Sequence, residues 1–185
     1  MKHFRNVSIL AIALVLTIVG NSVFAAGLGN TIAVRLLGTA TAYPSTDLFD
    51  AYGVDSSDSL CWDFALIDIK TGNLIGDVTD CAEVVDDDES KLIGTTFFYF
   101  PGGTIVSQVK TTVQPVTHEP EYFTHITGAI PELDDNNVIY GDGKFKNAEG
   151  PVRLSGAVNL RNLDMGEITI DCLFTLDVGP TKRNH

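Results

Sequence analysis

From Glu167 to Val178 apolar and polar side chains alternate almost without a break. Ile168, Ile170, Cys172, Phe174, Leu176 and Val178 fall on one side; Thr169, Asp171, Thr175 and Asp177 fall on the other, with Leu173 the one apolar exception. A period of two belongs to an extended strand, whose successive side chains point to opposite faces, and not to a helix. A strand with one dry face must bury it against other strands. Leu154, Gly156, Val158 and Leu160 repeat the pattern just upstream. Strands are predicted at Thr31–Thr41, Ser59–Ile69, Leu74–Val85, Leu92–Phe100, Thr104–Val113, Tyr122–Ile130, Asn137–Phe145, Val152–Leu160 and Glu167–Val178. Between them lie Pro101-Gly102-Gly103, a tight turn, and the polar segments Tyr43–Asp58 and Asp86–Glu89, both read as loops. Nine short strands and no helix predict an all-β barrel or sandwich.

The first residues read differently. Met1-Lys2-His3-Phe4-Arg5 is basic, Val7–Val19 is an apolar run, and Val23-Phe24-Ala25 offers a small-residue cleavage site. This is the pattern of a secretory signal peptide, so residues 1–25 are expected to be removed and residues 26–185 to fold as one domain. The run is too short for a comfortable membrane span. A secreted or periplasmic location follows, with no membrane association after cleavage. The whole chain has 12 basic and 24 acidic side chains, net −12, and losing Lys2 and Arg5 makes it −14. So acidic a surface is repelled by phosphate backbones, which argues against nucleic-acid partners.

Export permits disulfides. Cys61 and Cys81 lie symmetrically about Lys70-Thr71-Gly72-Asn73, which places them opposite each other across a hairpin and favours a Cys61–Cys81 bond. Cys172 would then be a free thiol on the dry face. Three reduced thiols, or a bond from Cys172 to one of the others, are the alternatives. Phe97-Phe98-Tyr99-Phe100 is apolar on both faces, so this strand is either covered from outside or meets another subunit; a homo-oligomer is expected on that ground.

Phe97–Phe100 with Pro101-Gly102-Gly103 and Thr104-Ile105-Val106-Ser107 resembles the central hairpin of allene oxide cyclases. His125-Ile126-Thr127-Gly128, then Gly141, Gly143, Phe145, Ala148 and Gly150 resemble a glycine-rich stretch of that family, which dirigent proteins share, with an insertion at Ile130–Ile139. The resemblance covers residues 92–178. It implies an eight-stranded antiparallel barrel, often trimeric, with an apolar cavity. It also implies isomerase or cyclase-like activity on a small apolar ligand, or steering of its coupling. The family's first-strand glutamate has no counterpart in Thr31–Thr41, where the polar residues are Arg35 and three threonines. Asp63, Asp68, Asp77 and Asp80 lie on strands, and the sequence assigns none of them to the interior. The motif glycines also have a plain structural meaning, as points of bend or close approach, with Phe145 and Ala148 packing beside them.

Other constellations point to little chemistry. His118-Glu119-Pro120-Glu121-Tyr122-Phe123-Thr124-His125 holds four potential metal ligands at a spacing no standard site uses, so no metal is expected. Asp47, Asp50, Asp55 and Asp58 fit no calcium loop. There is no nucleophile elbow, P-loop or dinucleotide motif, and no cofactor is expected. Trp62, Phe98, Phe174 and Cys172 are the candidates for lining a ligand cavity. The expected function is an exported barrel that binds a small apolar ligand and steers its cyclisation or isomerisation. The alternative is a non-enzymatic structural or interaction module with a filled core. A buried acid, histidine or tyrosine in an open cavity favours the first; a core packed with Phe, Leu and Ile favours the second.

Overall fold

The C-terminal strand behaves as its alternation predicts. In a computed structural model describing residues 31–54, 59–85, 88–115, 122–128 and 136–179, β10 (Glu167–Asp177) buries Ile168, Ile170, Cys172, Phe174 and Leu176 and exposes Thr169, Asp171 and Leu173. The proposed signal peptide, residues 118–121 of the His/Glu cluster, Asp55 and Asp58 lie outside the described residues.

The other strands are β1 (Thr31–Thr41), β2 (Tyr43–Pro44), β3 (Leu60–Asp68), β4 (Leu74–Val85), β5 (Asp88–Phe100), β6 (Gly103–Pro115), β7 (Phe123–Gly128), β8 (Val138–Gly141) and β9 (Val152–Asn162). All pairings are antiparallel, in the order β1-β10-β9-β7-β6-β5-β4-β3, and β3 returns to β1 through Val34–Asp68, Arg35–Ile67, Leu36–Leu66 and Leu37–Ala65. Eight strands therefore close a barrel, and β2 and β8 are short additions on β3 and β6. Closure removes the unpaired edges that an open sheet would leave.

Three predicted segments differ. Tyr43–Asp58, read as a loop in a chain without helices, forms β2 and a helix, α1 (Thr46–Tyr52), which ends at Gly53 in the left-handed conformation. Leu48, Phe49 and Tyr52 share one side of that helix and pack over Phe97, Val106 and the cysteines. The predicted Asn137–Phe145 strand stops at Gly141 and turns into a 3-10 segment, Gly143–Phe145. Gly143 has φ +52, and a Cβ there would strike the Gly102 carbonyl, so the chain folds onto the β5–β6 turn in place of extending. Asp88, assigned to the Asp86–Glu89 loop, already belongs to β5.

Two apolar clusters result. One fills the barrel with, among others, Leu36, Phe64, Leu66, Phe98, Phe174 and Leu176. The other lies outside the wall, where Phe49 meets Phe97 edge to face at 5.5 Å. The doubly apolar strand is thus covered by the chain's own helix, and Phe97 needs no second subunit to shield it. Cys61 and Cys81 are direct register partners, disulfide-bonded in this outer cluster with Cα atoms 4.0 Å apart.

Candidate functional site

The same register that pairs Cys61 with Cys81 pairs Trp62 with Asp80. Since the disulfide faces outward, Trp62 and Asp80 face inward. The row continues across the sheet, from Asp80 to Thr96 on β5 and from Thr96 to Ser107 on β6. A belt of polar side chains thus crosses one wall of an otherwise apolar interior. Val78 and Ala82, on the same face of β4, pack with the core cluster, as do Ile105 and Val109 on either side of Ser107.

Asp80 is the acid the sequence left unassigned. Its Oδ1 accepts a hydrogen bond from Thr96 Oγ1 at 2.7 Å. Burial pushes its carboxyl up to about 6, against the opposing pull of that bond. By surface it is partly buried. The partly buried Ala82, Ile126 and Leu160 pack at the margin of the core. Trp62 Nε1 donates to the Gly166 carbonyl at 3.0 Å, tying the indole to the β9–β10 turn. Cys172 faces Asp80 from β10, a free buried thiol whose pKa is pushed up to about 12, first by burial and then by the Asp80 and Asp171 charges.

Two hydroxyls in this region are incomplete. Ser107 Oγ and Thr111 Oγ1 are buried and find no hydrogen-bonding partner among the described residues. Thr111 stands opposite Leu92 on the interior face, packed close to Gly94 and Gly128, where an added Cβ would come within 3.4 and 3.2 Å of its oxygen. A buried hydroxyl left unpaired costs about 1–3 kcal/mol. A molecule bonding to either one recovers that cost.

The candidates named from sequence divide. Trp62 and Cys172 border the polar belt. Phe98 and Phe174 are fully buried, edge to face at 5.3 Å, and fill the barrel's middle. Phe145 and Ala148 pack against the core, Phe145 on Phe100 at 5.2 Å. Gly141 and Gly150 sit where a side chain would strike the carbonyls of Phe145 and Asp177. These motif residues close the barrel's far end and lie away from Asp80. Among the described residues no three His, Cys, Asp or Glu side chains are placed to hold a metal.

A concavity of about 760 Å³ lies outside the wall between α1, β2 and the outer faces of β1, β3 and β4. Asp47, Asp63 and Asp77 line it with Tyr43 and Tyr99. Tyr43 donates its hydroxyl to Asp63 at 2.8 Å, and burial pushes the Tyr99 hydroxyl up to about 12.

Fold and site together define a closed eight-stranded antiparallel β-barrel with, among the described residues, the Asp80 carboxyl and several hydroxyls inside. No protein-family model, curated protein or solved structure matches this chain.

Proposed function

We propose that this is an exported barrel protein that binds a small, largely apolar molecule at the polar end of its interior. The observation that carries the reading is the buried hydroxyl of Ser107, which has no partner among the described residues and shares a cross-strand row with Asp80; the Thr111 hydroxyl, likewise unpartnered among them, lies farther along the same strand. Ligand sites are mostly apolar with a few convergent polar groups, and this end of the barrel has that make-up. A carboxyl titrating near 6 suits a general acid, so a bound molecule could have its cyclisation or isomerisation steered by shape, water exclusion and a proton from Asp80. A secreted or periplasmic location rests on the leader-like first residues and agrees with the disulfide. A trimer remains what the resemblance to allene oxide cyclases implies.

The second reading, a non-enzymatic structural or interaction module, draws on the filled middle of the barrel, where Phe98 and Phe174 are fully buried, and on the acidic outer cleft. Native mass spectrometry of protein purified from its own host separates the two. The first reading expects a small-molecule adduct that is lost on denaturation, and Nile red binding that Ser107→Phe abolishes by filling the polar end. No adduct together with no Nile red binding would sink the first reading.

A further inference from the structure

Resting on the interior binding of that reading, with Asp80 as counter-ion in place of proton donor, we propose that the barrel's ligand is a lipophilic amine, bound as its ammonium ion between Asp80 and Ser107 with its apolar body among the neighbouring core side chains. Four observations converge. Asp80 faces inward and, among the described residues, accepts one hydrogen bond, from Thr96, which leaves acceptor capacity on the carboxylate. Ser107 Oγ lies in the same cross-strand row, two strands away, with no partner among the described residues. An ammonium group has three donors and no acceptor, matching one carboxylate and one hydroxyl oxygen. Every described Lys and Arg is exposed, so nothing cationic inside competes for Asp80.

The competing ligand class is the carboxylate, as in a fatty acid. It would set a second negative charge beside Asp80, with no inward Lys or Arg among the described residues to balance it. It would also have to approach a chain of net charge −12. A neutral alcohol could bond to Ser107 but would leave the buried carboxylate without a counter-charge. The groups facing Asp80 from packed elements are Trp62 on β3, Thr96 on β5 and the Cys172 thiol on β10. The thiol is the titratable member, and it stays protonated through neutral pH. The amine's affinity should therefore follow the ionisation of Asp80, weakening as the solution is acidified through pH 6.

Phenethylamine, 2-phenylethanol and phenylacetate share one apolar body and differ in the head group. Their displacement of Nile red from the full-length protein at pH 7.5 tests the assignment. The amine is expected to bind more than about tenfold tighter than the alcohol, because its charge pairs with a largely desolvated carboxylate, and phenylacetate to bind weakest. Asp80→Asn should collapse the amine's advantage, and Ser107→Ala should weaken the amine while leaving its lead over the alcohol. If the alcohol or the carboxylate equals the amine, the amine assignment is overturned and interior binding stands. If the amine's lead survives Asp80→Asn, the amine sits elsewhere, the Asp63 cleft included, and the assignment is overturned. If neither dye nor probes bind, the interior site itself fails and the assignment falls with it.

Discussion

Asp80 shows how much a single residue can depend on register. The sequence places four aspartates on β3 and β4. Composition does not say which of them enters the barrel, because β4 reads as mixed on both faces. The cysteine symmetry contained the answer: a hairpin that pairs Cys61 with Cys81 must pair Trp62 with Asp80 on the opposite face. Ser107 was legible in the same way, since the Pro101-Gly102-Gly103 turn sets it opposite Thr96. The missing step was knowing that the disulfide lies outside the wall. Burial of Asp80 has a consequence for stability. Its folded pKa is raised from 3.8 to about 6, so the folded state holds this proton more tightly than the unfolded chain. The stabilisation is complete below about pH 4 and is lost as pH rises through 6. At 1.36 kcal/mol per pH unit, ionised Asp80 costs on the order of 3 kcal/mol at pH 8. Asp80→Asn should therefore match the wild type in urea denaturation near pH 4, exceed it increasingly as pH rises to about 6, and keep that lead to pH 8. Equal stability at pH 8 would mean that Asp80 is not desolvated.

At the scale of elements, strands were readable and the helix was not. β1 and β4 match their predicted bounds, because Gly, Asn, Pro and Asp residues bracket both segments in the sequence. α1 is seven residues long, too short to be helical by itself in water. Its apolar residues, Leu48, Phe49 and Tyr52, sit among aspartates in a segment that opens with Pro44. The helix forms because Phe49 docks between Phe97 and the disulfide, a tertiary cause that local composition hides. The signal lay elsewhere, in Phe97–Phe100, where a strand apolar on both faces announced that something must cover it. Phe49→Ala should lose about 3 kcal/mol of stability by the usual cost of truncating a buried aromatic. It should also expose Phe97, with increased self-association seen in sedimentation velocity. A variant as stable and as monodisperse as the wild type would show that α1 is not held by this contact.

For the whole molecule, the barrel and its covalent bond do separate jobs. Closure is made by β3 on β1, through Val34–Asp68 to Leu37–Ala65, and the inward ends of those strands meet Phe98, Phe174 and Leu176 in the core. The disulfide joins neighbouring strands β3 and β4 that already pair over eight positions, and it lies on the outer side of the wall. It therefore does not close the barrel. It shortens the unfolded chain's freedom across a separation of 20 residues, which corresponds to about 3 kcal/mol. Replacing both cysteines by alanine should lower the unfolding free energy measured by urea denaturation by that amount. The strand signal in circular dichroism and Nile red binding should stay unchanged in the absence of denaturant, because the Asp80–Thr96–Ser107 row is held by backbone register on the inner face. A double variant that loses its β structure without denaturant would show that closure depends on the bond. The interior would then be a product of oxidation and not of the strand pattern alone.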